Sequence, residues 1–117
     1  EGLGFRGNQK ERKEMNLCVI AGRILRNPTV KGTDRKILRF TVETRDGHDE
    51  GELKERVNQV PCVLFNPSPE LEQTLTSQGE GVRVELQGRV ASWNGDSNGR
   101  PNVEVVAFNR SLTFPKD

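Results

Sequence analysis

The sequence predicts an all-β domain: a closed five-stranded Greek-key barrel carrying one short helix between its third and fourth strands. Three observations lead there. Apolar residues recur with strand periodicity in five separate segments, only one stretch carries helix-start and helix-stop signals, and that stretch falls between the third and fourth segments. A chain of 117 residues is long enough for one such core and too short for two comfortable ones.

Residues 1–14, EGLGFRGNQKERKE, mix glycine and charge without periodicity and read as a flexible arm or as residues left by protein expression. Ordered pattern begins just after Met15, so the domain is set at 15–115. NLCVIAGRILR (16–26) is a strand of continuous apolar character, and Gly22 within it suggests a bulge or sharp bend. Asn27-Pro28 marks a turn. KILRFTVET (36–44) alternates cleanly, with Leu38, Phe40 and Val42 on the core side. The segment 45–56 is a charged loop or hairpin tip with five acids and three Lys/Arg, turning at Asp46-Gly47. VNQVPCVLF (57–65) is the third strand, and the donor missing at Pro61 predicts an edge position or a local bulge.

The helix lies within 66–81: Ser68 as N-cap, Pro69 at the first helical position, Glu70 and Glu72 near the positive end, Gly79 as the stop. Leu71 and Leu75 give it a narrow apolar face. VRVELQGRVASW (82–93) alternates again, with Val82, Val84, Leu86, Gly88 and Val90 expected inward. After a hairpin loop at 94–101, NVEVVAFNRSLTF (102–114) is the last strand, where Val105-Val106 hints at a bulge. Five strands with a helix after the third is the layout of the OB-fold barrel.

Several functions are excluded or disfavoured at this stage. No apolar run approaches the roughly 20 residues of a membrane span. Cys18 and Cys62 sit in strand-like runs without metal-ligand spacing and read as reduced, buried thiols. The sequence contains no paired carboxylates, nucleophile with an adjacent base, or phosphate-cradling glycine loop, so neither enzyme activity, cofactor nor metal is expected. Net charge is +1, so affinity for a polyanion must come from local clustering.

With those elements in place, the chain resembles the bacterial single-stranded DNA-binding proteins. MNLCVIAGRILRNPTVK (15–31) is similar to that family's opening strand, LRFTVET (38–44) to its second and VPCVLF (60–65) to its third. GEGVRVELQGRVASW (79–93) resembles its glycine-and-valine signature followed by a tryptophan, and GRPNVEVVA (99–107) matches the last strand in character. The resemblance implies an OB fold, homodimers or homotetramers, and sequence-tolerant coating of single-stranded DNA in replication, repair and recombination. It also implies partner replication and repair proteins, and a place in the bacterial cytoplasm at the nucleoid. Phe65 matches the family's stacking phenylalanine and Trp93 its hairpin tryptophan, while two further family tryptophans are replaced by His48 and Gln59. The chain ends at SLTFPKD without the acidic tail that recruits repair enzymes, so either a tail has been removed or partners are not recruited that way.

The candidate site residues follow from both readings. Trp93, the only tryptophan in a chain without tyrosine, either caps the open barrel end or offers a ring for a base to stack on; its place at the hairpin base favours stacking. Phe65 serves equally as core or as platform, and His48 can stack less well. Arg23, Lys31, Arg39, Arg45, Arg56 and Arg89, joined by Arg83, take outward or loop-edge positions and are expected to line one basic groove. Acids such as Glu43 and Glu85 would neutralise them if that surface were merely solvated. The alternative reading is an OB-fold protein-interaction module of a replication-restart or other multi-protein assembly, supported by the scarcity of aromatics; a third is an RNA-binding OB protein.

Overall fold

The computed structural model describes residues 14–46, 56–93, 98–99 and 102–116. The expected arm, apart from its last residue, lies outside them, as do His48, most of the 45–56 loop and most of the 94–101 hairpin loop.

Six strand segments form one sheet that closes on itself. They are β1 (Cys18–Ile24), β2 (Thr29–Lys31), β3 (Ile37–Asp46), β4 (Arg56–Phe65), β5 (Arg83–Trp93) and β6 (Asn102–Ala107), with α1 (Pro69–Gln78) between β4 and β5. Their order is β1-β5-β6-β4-β3-β2, and β1 also pairs with β3. β1 and β2 are one barrel strand in two pieces. Arg23 and Ile24 face Glu43 and Val42, and Thr29–Lys31 continue along the same edge of β3 opposite Arg39 to Ile37. The Asn27-Pro28 turn loops out between them, so the expected five-stranded barrel is present.

Closure depends on Gly22. β1 stays in unbroken register with β5 from Cys18 to Arg23, so no bulge forms. Instead the strand passes so near β3 that a Cβ at Gly22 would lie 2.2 Å from the Glu43 carbonyl oxygen. β4 is not an edge strand, since β3 and β6 flank it. It tolerates Pro61 because Thr41, opposite, turns its carbonyl toward Leu25 N–H (2.9 Å) rather than toward β4, and the ladder with β6 is formed at Cys62 and Val63, just beyond the proline.

Leu38, Phe40, Val42, Cys62, Leu64, Val84, Leu86, Val105 and Ala107 alternate inward from four strands, and Leu75 of α1 plugs one end. Val90, expected inward, is exposed because β5 runs past the closed part of the barrel. Ser68 caps α1, its Oγ accepting from Leu71 N–H at 3.2 Å. Ser68→Ala is expected to cost about 1 kcal/mol, read as a lower midpoint in urea. Gly79 follows the helix with helical dihedrals, and only glycine fits there, since a Cβ would meet Leu75 O at 2.1 Å and Pro28 Cδ at 2.6 Å.

The last strand is shorter than expected. After Ala107 the chain turns through a 3₁₀ segment, Asn109–Ser111, and resumes backbone bridging with β5 at Thr113, opposite Glu85. Polar side chains hold this detour: Asn109 Nδ2 donates to Phe65 O at 2.9 Å, and Ser111 Oγ accepts from Gln87 N–H at 2.9 Å. No bulge occurs at Val105-Val106, where the register with β5 is continuous.

Of the two thiols, Cys62 is buried and Cys18 half-buried. Burial, with smaller contributions from Cys18 and Glu104, pushes the Cys62 thiol from 9.0 up to about 12. A pKa raised in the folded state favours folding below the unfolded value, and that contribution is lost as pH rises from about 9 toward 12. Stability in urea is therefore expected to fall across that window, and less so in Cys62→Ala after allowing for its lower baseline. Among the described residues no helix is long and apolar enough to cross a membrane.

Candidate nucleic-acid interface

Two valines reveal a second apolar layer outside the barrel. Val63 is 0% and Val106 8% exposed, yet neither belongs to the core cluster. Alternation puts them on the outer face, beside each other across the parallel β4–β6 pair. One row there crosses five strands: Thr29, Arg39, Val63, Val106, Arg89. Arg39 and Arg89 thus stand on either side of the valine pair, three strand spacings or about 15 Å apart at the backbone. The neighbouring row is Lys31, Ile37, Phe65.

Trp93 ends β5 on this same face. The residue is 43% exposed and its ring meets Phe65 edge-on, the centroids 6.5 Å apart and the planes at 76°. It is therefore not sealed among aliphatic neighbours. Its Nε1 donates to Glu104 Oε1 at 2.6 Å, and Arg39 Nε donates to Glu104 Oε2 at 2.9 Å. An open cleft of about 420 Å³ lies along Arg39, Pro61, Trp93, Asn102, Val103 and Glu104. It is lined by both polar and apolar groups, with a partly exposed indole and the Arg39 guanidinium beside Glu104, which suits a flat, anionic polymer rather than a small enclosed substrate.

The expected single basic groove is divided. Lys31, Arg39 and Arg89 share the face with Phe65 and Trp93. Arg23 and Arg45 adjoin Arg83 around a separate cleft of about 220 Å³, where Arg45 Nη2 pairs with Glu43 Oε1 at 3.3 Å. Arg56 lies opposite Asp46, on the other face from Arg45 by alternation, near the β3–β4 hairpin. Acids do interleave with the cations, at Glu43 and Glu104.

Glu104 was missed in the sequence. Its signal was present in NVEVVA: an acid at the outward register of a valine-rich strand, directly across from Ala91 and two residues from Val106. Val63 and Val106 could also have been read as outward and buried, because PCVLF and VEVVA are apolar at both parities.

A comparison with protein families matches residues 15–113 to the Single-strand binding protein family. The chain belongs to that family. Among solved structures, the single-strand binding fold is shared with the Plasmodium falciparum SSB complex with ssDNA, at a TM-score of 0.71 and 21% identity, covering 90% of this chain and 98% of that one. A search of curated proteins finds no match. The family match spans every strand of the barrel, so the single-strand binding assignment rests on the whole domain rather than on one motif.

Proposed function

We propose that this member of the single-strand binding protein family coats single-stranded DNA without catalysis and without reading sequence. The observation that carries the reading is the exposed Trp93 ring beside Phe65, flanked by Lys31, Arg39 and Arg89 on one outer face. Bases stack on the rings, which present a π-face that any base can use, and the cations neutralise the backbone. The single-strand complex of the Plasmodium falciparum relative supports the same substrate class. Arg23, Arg45 and Arg83 add cations around a second cleft of the barrel, with Arg56 at the base of the β3–β4 hairpin, and His48 is kept as a stacking candidate from the sequence.

The assembly is proposed as a homodimer or homotetramer. Among the described residues β1 pairs with β3 only at Arg23 and Ile24 and nothing pairs with the outer edge of its first half, where Met15, Leu17 and Val19 are exposed. The setting is the bacterial nucleoid, in replication, repair and recombination, where single strands and the enzymes acting on them meet.

Fluorescence anisotropy of a labelled dT oligonucleotide at two or more salt concentrations tests the function. Binding should weaken with salt by a slope of about −0.7 per phosphate neutralised, and should differ little between dT and mixed sequences. A duplex of the same length should compete poorly. Absence of binding at low salt would favour the protein-interaction module, and equal or tighter binding of an RNA oligonucleotide would favour the RNA-binding reading.

A further inference from the structure

We infer that Glu104 is a positioning residue of the stacking site, aiming the Trp93 indole while holding the charge of Arg39 in check. This rests on the single-strand binding reading above. Its two carboxylate oxygens are divided between the two groups that meet the polymer: Oε1 accepts from the indole at 2.6 Å and Oε2 from the guanidinium at 2.9 Å. The Glu104 side chain is only 12% exposed while that of Arg39 is 48% exposed, so the carboxylate is fixed and its two charge-assisted hydrogen bonds reach out to groups that solvent and polymer can touch. Register sets this arrangement. Glu104 lies opposite Ala91, whose small side chain leaves space above β5, and Trp93 two residues on reaches back to the carboxylate.

Two consequences follow for binding. The bond to Nε1 fixes the edge of the indole while Phe65 meets the ring at 76°, so one orientation of the stacking surface is prepared before a base arrives. The bond to Arg39 places a carboxylate where a backbone phosphate would otherwise sit, so the polymer must compete for that guanidinium. A coating protein gains reversibility from such a counter-charge.

Glu104→Gln and Glu104→Ala separate these roles. The glutamine keeps an acceptor for the indole and removes the charge; the alanine removes both. In the free protein, steady-state anisotropy of Trp93 should fall in Glu104→Ala and stay near wild type in Glu104→Gln. With dT oligonucleotide, Glu104→Gln should keep the quench and bind about 3- to 10-fold more tightly at low salt. Its salt slope should steepen by about 0.7, one further phosphate neutralised. Glu104→Ala should show a smaller quench per bound base. Unchanged anisotropy in Glu104→Ala would overturn the positioning role, and an unchanged slope in Glu104→Gln the counter-charge role. If wild type binds no single strand, the functional reading fails and the anisotropy of the free variants alone decides whether Glu104 aims the ring. Circular dichroism verifies the fold, and the near-isosteric glutamine keeps the test interpretable if the alanine variant is unstable.

Discussion

Trp93→Ala is expected to weaken binding of a dT oligonucleotide by about 1–3 kcal/mol, or roughly 5- to 150-fold in Kd, with the fold retained. The magnitude is that of one lost base–aromatic stack. The fold survives because the indole lies outside the barrel core and is nearly half exposed. Some stability is lost with the edge-on contact to Phe65 and the hydrogen bond to Glu104, but the barrel itself keeps every inward residue. Isothermal titration at fixed low salt, paired with a urea melt, checks both parts. A large drop in the midpoint with binding unaltered would make Trp93 a structural lid, and the stacking account would be wrong at its chief residue.

The largest effect on stability is expected at Gly22. Gly22→Ala would place a Cβ 2.2 Å from Glu43 O and 2.9 Å from Val42 Cγ1, neither of which can yield without moving β3. β1 meets β3 through only two paired positions, Arg23–Glu43 and Ile24–Val42, so the clash falls on the seam that closes the barrel. Overpacking against backbone at such a seam is expected to cost about 3 kcal/mol. Thermal and urea unfolding measure it, and hydrogen exchange should show faster opening at Ile24 and Leu25 than in α1. A variant as stable as wild type would mean that β1 does not cross β3 so closely.

Much of the barrel was legible because its rules are local. Alternation in 36–44 and 82–93 defined inward residues, and Ser68-Pro69 with two glutamates defined the helix start, all from physical preferences that act within a few residues. Three features were not legible in the same way. Pro61 argued for an edge strand or a bulge, yet the orientation of Thr41 across an unbroken ladder and the position of the β6 pairing accommodate it, and both are long-range facts. Val105-Val106 suggested a bulge because two adjacent valines cannot both face one core. The structure instead buries each on its own side, Val105 in the core and Val106 on the outer face beside Val63 and opposite Arg89. The last strand was drawn too long because the polar side chains of Asn109 and Ser111, which divert it, bond to residues more than 20 positions away.

The candidate site was legible in its chemistry and less so in its grouping. Trp93 was found from residue type and place and Phe65 from the resemblance, and the structure brings their rings together. The arginines were found as outward positions, but periodicity in single strands does not say which side of a closed barrel each one occupies. Strand pairing does: Lys31, Arg39 and Arg89 gather around Phe65, Val63 and Val106, while Arg23 and Arg45 lie farther along the same outward registers, beside Arg83. Glu104 escaped because an acid in a strand reads as solvated until the indole and the guanidinium that share it are placed.

The most direct measurement of the central claim is the emission of Trp93 during addition of unlabelled dT oligonucleotide. The chain has one tryptophan and no tyrosine, so the signal comes from that ring alone. Stacking predicts a saturable quench that added salt reverses as the strand dissociates. Saturable binding in the anisotropy assay with the emission of Trp93 unchanged would contradict it, because the polymer would then be held away from the face on which that ring stands.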